Sequence, residues 1–164
     1  MFGKKAVLVG LMTTALVAGA AAVASATAGS GEHRTPIARG QSVLSFAIAQ
    51  HEGNDIATSM NTFDPGGFSG WHSHPGTAVL VITSGQLTVY SEPIGVAGLG
   101  GGGNCSVHTY TAGQAFIERP ENEENAVNTG TGETKFVITF FNVPHPLQPG
   151  DTRIDRPDPG DCPG

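Results

Sequence analysis

The stretch that decides the fold is GGFSGWHSHPGTAVLVITSGQL, residues 66–87. In it His72 and His74 stand two positions apart in a glycine-rich loop, directly before a run of β-branched and apolar residues. Side chains two apart on an extended strand point to the same face. The two imidazoles therefore project together, and the pattern is open to two interpretations: a pair of metal ligands, or an ordinary polar turn that contains histidine.

The rest of the chain is a series of short apolar or alternating segments, each bounded by turn residues. Long helix-forming runs are rare after the first thirty residues, so the pattern predicts an all-β fold. A length of 164 residues allows one domain. The strands are predicted at 42–49, 56–63, 77–83, 86–91, 107–111, 114–118, around 126–128, and 134–142. The sequence NTGTGE, residues 128–133, predicts a hairpin between the last two of them.

The first 28 residues have the features of a secretory signal peptide. Two lysines near the start precede an uncharged stretch, residues 6–31, and small-residue cleavage sites end at Ala26 and Ala28. We expect cleavage at one of these sites and a secreted or extracytoplasmic protein. An uncleaved membrane anchor is the alternative, because the apolar run approaches the roughly 20 residues that span a bilayer.

The charge of the mature chain argues against two classes of partner. Removing the leader, with its two lysines, changes the net charge from −6 to −8 and leaves one lysine beside five arginines. Nucleic acids and anionic membranes are bound by basic surfaces. We therefore expect no nucleic-acid binding, and no membrane contact after cleavage.

Cys105 and Cys162 are the two cysteines of the chain. Both lie in loops rich in glycine, proline or aspartate, and an exported protein meets oxidising conditions. We expect a structural disulfide between them. It would pin the Pro/Asp-rich tail, residues 143–164, which contains too much proline to form interior strands. The alternative is a pair of free buried thiols.

Four residues around the histidine pair have the spacing of a known motif. Five residues separate Gly66 from His72, and Gly85 comes eleven positions after His74. In this the sequence resembles the cupins. The resemblance implies a single cupin-type double-stranded β-helix, a jelly-roll barrel, over residues 42–142. A linker, residues 29–41, would join the barrel to the leader.

A second segment, GQAFIERPENEENAVNTG at 113–130, resembles the second cupin motif. Gly113 opens it, Pro120 makes its turn and Asn128 closes it. The family's third histidine stands four residues before that asparagine, where this chain has Glu124. The leader, the cysteines and the tail are also similar to those of small secreted actinobacterial cupin-domain proteins.

The resemblance implies a divalent metal site with His72, His74 and Glu124 as ligands. Two histidines and one carboxylate serve non-haem iron and also zinc, and the expected ion is Zn, Mn, Fe or Ni. The acidic loop leaves two alternatives open. Glu121 or Glu123 could take the place of Glu124, or all three glutamates could form a solvated loop without a metal.

The ligand pocket is expected beside the histidine pair. On an extended path Ala78 and Leu80 share the face of the pair, and Trp71 directly precedes it. The first cupin motif has a glutamate at the position of Ala78, so we expect a site that is weaker and more open than one with four protein ligands. Surface or core positions are expected for the other histidines, which are His33, His51, His108 and His145.

Three functions are compatible with these residues. The first is an exported cupin that binds a divalent metal and a small ligand; the second is a metal-dependent enzyme of the oxygenase or isomerase type with the same histidines. The third is a metal-free ligand-binding or interaction module. Cupins host many activities, so the fold does not separate the three. The inward positions after His74 are small or apolar, which favours binding of a small molecule over catalysis; a homodimer is left open.

Overall fold

The structure, a computed structural model, describes residues 35–91, 105–160 and 162, and this part of the chain consists of strands, turns and loops. The all-β prediction is confirmed. No helix in the described ranges is long and apolar enough to span a bilayer. The strands are β1 Gln41–Ser42, β2 Asp55–Phe63, β3 His72–Ser73, β4 Ala78–Ser84, β5 Gln86–Ser91, β6 Ser106–Thr111, β7 Gln114–Glu118, β8 Glu124–Val127, β9 Thr134–Val143 and β10 Ile154–Asp155. The predicted signal peptide lies outside the described residues.

The strands form two five-stranded sheets that enclose one core. The first sheet has the order β1-β7-β4-β9-β2 and the second has the order β10-β3-β8-β5-β6. Their pairings are antiparallel except for β1 with β7. Alternate side chains of β4 point inward, so that Ala78, Leu80 and Ile82 are buried against Leu87 and Val89 of the second sheet.

The predicted hairpin at NTGTGE is wrong, because β8 and β9 belong to different sheets. The reason is the buried side chain of Asn128. Its Nδ2 amide contacts the carbonyl oxygens of Phe63, Asp64 and Gly132 at 2.8–3.0 Å, and its Oδ1 accepts a hydrogen bond from the Gly130 N–H. These bonds direct the chain from one sheet to the other, as a jelly roll requires.

The predicted strand at 42–49 is also wrong beyond its start. Only β1 pairs with β7, in parallel register, and one further hydrogen bond joins the Val43 N–H to the Ala115 carbonyl. Leu44 and Phe46 are exposed. A strand persists only where a neighbouring backbone offers partners. Here β7 meets β1 at its first two residues alone.

The tail lies along the second sheet. Its short strand β10 pairs with β3, with Ile154 opposite Ser73 and Asp155 opposite His72. The predicted disulfide between Cys105 and Cys162 is present, with the two Cα atoms 5.0 Å apart. The tail therefore meets the strand that carries the histidine pair.

Candidate metal centre

Strand β3 holds the histidine pair between two neighbours. On one side His72 stands opposite Glu124 of β8, and on the other it stands opposite Asp155 of β10. The chain then leaves His74 through Gly76, where a side chain would collide with the carbonyl of Phe141. Glycine at this position lets the loop pass directly against β9.

Four buried side chains converge at this point: His72, His74, Glu118 and Glu124. One ligand atom from each lies within 4.8 Å of the others. His74 Nε2 is 3.0 Å from Glu118 Oε2 and 3.8 Å from Glu124 Oε1. The imidazole rings of the pair are nearly perpendicular, with their centroids 4.8 Å apart. This is a set of two nitrogen and two oxygen donors that could hold one metal ion.

Backbone carbonyls orient both imidazoles. His72 Nδ1 donates to the carbonyl of Gly70 at 2.9 Å, and His74 Nδ1 donates to the carbonyl of Thr152 at 2.6 Å. With Nδ1 occupied in this way, each ring directs Nε2 toward the cluster. Metal-binding histidines are usually held by such a bond from the second nitrogen. The tail therefore supplies one of the two bonds that orient the pair.

Without a cation, one oxygen of the two buried carboxylates has no partner in the described part of the chain. Glu124 Oε1 is buried and has no hydrogen-bond partner among the described residues. Burial and the neighbouring charge of Glu118 raise the pKa of Glu124 well above its ordinary value. A buried charged oxygen without a partner is costly, by about 1–3 kcal/mol or more. A divalent ion would offset both carboxylate charges and give this oxygen a partner, so the residues fit a metal.

The pKa values of the two histidines are shifted in opposite directions. Burial lowers the pKa of His72 below its usual value. Burial would also lower the pKa of His74, but the hydrogen bond and the charge of Glu118 outweigh it and raise that pKa. The raised pKa favours a proton between His74 Nε2 and Glu118 Oε2, which are 3.0 Å apart. His74 must release it before Nε2 can bind a metal ion.

Of the three glutamates in the acidic loop, Glu124 is the one in the cluster. Glu121 and Glu123 face the tail instead, where Arg156 Nη2 is 2.7 Å from Glu121 Oε2 and Arg156 Nε is 3.7 Å from Glu123 Oε1. The structure thus brings His72, His74 and Glu124 together. Their role as ligands remains a prediction.

Glu118 is the member of the cluster that the sequence analysis missed. In the β4–β7 ladder it stands directly opposite Ala78, the position where the cupin motif has its glutamate. A carboxylate thus comes from the neighbouring strand, and the expected three-ligand site becomes a four-residue cluster. One signal could have identified it: Glu118 lies two positions after Phe116, a core residue on the same strand, so it must share the inward face.

The chain is similar to several solved structures. No protein-family model matches the chain, and no curated protein matches it. An oxalate oxidase aligns with a TM-score of 0.46 and 24% identity over 53% of this chain and 42% of its own, so this chain spans less than half of that protein. A double-stranded β-helix protein from Klebsiella pneumoniae has a TM-score of 0.43 and 21% identity, over 58% of this chain and 72% of its own. An RmlC-like cupin from Shewanella frigidimarina has a TM-score of 0.43 and 20% identity, over 56% and 70%.

The strand order and the place of the histidine pair decide the fold. The chain passes between two mainly antiparallel sheets at Gly85 and again after β8, and the histidine pair lies buried between the sheets. The chain has the cupin fold. The narrower resemblance to secreted actinobacterial proteins remains a prediction.

A cavity of about 250 Å³ opens onto the cluster of the cupin barrel. His72, His74 and Glu118 line it, together with Leu80. Trp71 and Ala78, the other predicted pocket residues, are buried and are not among the described residues that line this cavity.

A second cavity, of about 370 Å³, lies beyond Glu124, and its lining includes His108, Tyr110 and Arg119. His108 is exposed and is not part of the metal cluster. His51 and His145 are exposed as well, and His33 lies outside the described residues. Of the described histidines, only the pair on and beside β3 belongs to the cluster.

Proposed function

We propose that this protein is an exported cupin that binds one divalent metal ion through His72, His74, Glu118 and Glu124 and a small ligand in the adjoining cavity. The observation that carries the metal site is the orphaned Oε1 of Glu124 beside a second buried carboxylate. Nitrogen and carboxylate donors without a thiolate suit Zn, Mn, Fe or Ni. A bound ion would act as a Lewis acid toward an oxygen atom of the ligand.

The ligand would reach the ion from the 250 Å³ cavity, because three of the four cluster residues line it. The protein's own contribution is to orient the imidazoles through the Gly70 and Thr152 carbonyls and to exclude bulk water through burial of the cluster. These features support a preformed site.

Metal analysis of the untagged, exported protein tests the proposal. We expect about one ion per chain, and a rise in melting temperature when Zn²⁺, Mn²⁺, Fe²⁺ or Ni²⁺ is added to the metal-free form, because a ligand that binds only the folded state stabilises it. The variant His72→Ala/His74→Ala should lose both effects. His108→Ala, which changes an exposed histidine outside the cluster, is the matched control. A wild-type protein without metal and without a thermal shift contradicts the proposal.

Export rests on the leader, which lies outside the described residues, and is supported by the disulfide, since such bonds persist in oxidising compartments. Intact-mass measurement of protein recovered outside the cytoplasm checks it. A mass that lacks the first 26 or 28 residues is expected. A full-length mass in the membrane fraction would favour the anchor.

A metal-dependent enzyme is the second candidate, and the opening of the cavity onto the cluster favours it, because a bound molecule could contact the ion directly. Binding without turnover is the preferred proposal. Among the described residues of the lining, the ionisable groups are the proposed ligands and Arg153, and none is a free general base. Turnover of a bound ligand that His72→Ala/His74→Ala abolishes would support the enzyme instead.

A further inference from the structure

Arg153 is the one permanent cation among the described residues that line the 250 Å³ cavity. Arg153 belongs to the tail, and it lies in the cavity wall that also contains His72 and His74. Two contacts hold its guanidinium: Nε lies 2.6 Å from Asp155 Oδ1, and Nη2 donates to the carbonyl of Ser69 at 2.9 Å. A guanidinium has five N–H donors. Within the described part of the chain no hydrogen bond is recorded for the other three.

The charge of the loaded site determines what this arginine can bind. Glu118 and Glu124 together carry two negative charges, which a divalent ion would offset. The positive charge of Arg153 is then left facing the cavity. Its partner Asp155 is 84% exposed, so water screens that carboxylate. The loaded cavity therefore favours one negative charge and repels a cation, and the described part of its lining offers no second arginine or lysine for a polyanion.

The size and the walls of the cavity determine the rest of the ligand. Its volume of about 250 Å³ is below the range of roughly 300–1,000 Å³ that is usual for drug-sized ligands. Apolar side chains from both sheets form much of the wall: Phe63, Leu80, Ala126, Phe136, Ile138 and Phe140. The polar side chains of Ser59, Asn61 and Ser69 complete the wall. The cavity therefore suits a small occupant with its charge at one end and a mainly apolar remainder.

We propose that the cavity binds a small organic monoanion with an apolar body, of which a short-chain monocarboxylate is the simplest representative, and that Arg153 anchors its charged end beside the metal ion. This inference rests on the proposed function, because the excess positive charge arises only when the cluster holds a divalent ion. Arg153 is a ligand-binding residue in this scheme and takes no part in holding the metal.

Calorimetric titration of the zinc-loaded protein tests it, with butyrate as the probe and butyramide as its neutral counterpart of similar shape. Butyrate should bind and butyramide should bind at least tenfold more weakly. Arg153→Gln should weaken butyrate binding by about tenfold or more, because a charge-assisted hydrogen bond is lost. Arg153→Lys, which keeps the charge, should retain part of the affinity. The control is Arg39→Gln, since Arg39 is exposed and outside this lining.

The zinc content of each variant separates this inference from the proposed function. If Arg153→Gln carries wild-type zinc and loses butyrate, the inference is supported. Equal binding of butyrate and butyramide overturns it, and so does unchanged butyrate binding in Arg153→Gln. A loss of zinc in Arg153→Gln would overturn it too, because the arginine would then serve the metal site. Absence of zinc from the wild-type protein would contradict the proposed function itself.

Discussion

At the scale of single residues, the cluster depends on the position from which a glutamate side chain reaches it. Two neighbouring strands offer such a position. Ala78 occupies the position at which the cupin motif has its glutamate, and Glu118 faces it across the β4–β7 ladder. Directly opposed residues in an antiparallel pair have Cβ atoms about 4.5–5.5 Å apart. A glutamate side chain is long enough to span this separation, so a glutamate on either strand can place a carboxylate oxygen in the cluster.

Moving this carboxylate across the ladder should restore metal binding. Glu118→Ala should weaken the affinity for Zn²⁺ by more than the 10–100-fold that is typical for loss of an outer-shell partner. The double variant Glu118→Ala/Ala78→Glu should recover a large part of it, because the new side chain occupies the space that the old one leaves. Competition with a chromophoric chelator measures both. No recovery in a folded double variant would mean that Glu118 is not a ligand.

The pH dependence of stability should reverse when metal is bound. Above pH 6.5 the metal-free protein should lose stability as the pH rises, because the folded state holds the protons of Glu124 and His74, whose pKa values are raised, more tightly than the unfolded state does. The lowered pKa of His72 adds stability with rising pH only below 6.5. With saturating metal the stability should rise with pH instead, since the ligands bind deprotonated. Urea unfolding between about pH 6.5 and 8.5, with and without chelator, checks the sign; the same slope in both states would contradict it.

At the scale of elements, the tail contacts the candidate metal centre. Besides the β10–β3 ladder and the Thr152 carbonyl on His74, the Arg156 N–H donates to the carbonyl of Trp71, and Arg156 Nε donates to Ser73 Oγ at 3.0 Å. The disulfide closes this segment onto the body of the barrel. A tail that is released from the second sheet would leave His74 free to rotate.

Removing the disulfide should therefore weaken metal binding as well as stability. The double variant Cys105→Ser/Cys162→Ser should bind Zn²⁺ about 10–100-fold more weakly, which is the usual effect of losing an orienting bond. Substitution is preferable to a thiol reductant, because thiols bind zinc themselves. Proteolysis should cut the tail of this variant first. If the tail is cleaved and the zinc affinity is unchanged, the tail does not contribute to metal binding.

At the scale of the whole molecule, the barrel depends on buried polar contacts between segments that are far apart in sequence. Asn128 joins the end of β2 to the loop before β9 through four hydrogen bonds, and it is completely buried. Nearby, Thr134 Oγ1 donates to the carbonyl of Gln86 at 2.7 Å. Such hydrogen bonds hold the segments through which the chain crosses from one sheet to the other.

Asn128→Ala should lower the free energy of unfolding by about 3 kcal/mol or more, because it leaves several buried backbone groups without partners. Asn54→Ala, at an exposed position, should change it by less than about 0.5 kcal/mol. Urea unfolding followed by tryptophan fluorescence compares the two. A small loss at Asn128 would mean that water replaces the missing amide.

The features that the sequence predicted correctly are local or pairwise. The common direction of His72 and His74 follows from the two-residue repeat of a strand, and most strands follow from alternation between turn residues. The disulfide could be predicted because the chain has two cysteines, which allow one intramolecular pairing. The segment at 42–49 had the same alternation and failed as a strand, because alternation does not reveal whether a neighbouring backbone is present.

Tertiary structure decided which distant groups complete the site. Glu118 stands 44 residues after His74, and the Thr152 carbonyl stands 78 residues after it. No sequence pattern indicates that these distant groups meet His74. Glu124, and not Glu121 or Glu123, lies in the cluster because the register of β8 against β3 places it opposite His72. Local sequence determines the direction of a side chain, because backbone geometry repeats every two residues. Its neighbours are determined by strand order and register, which the packing of two whole sheets selects.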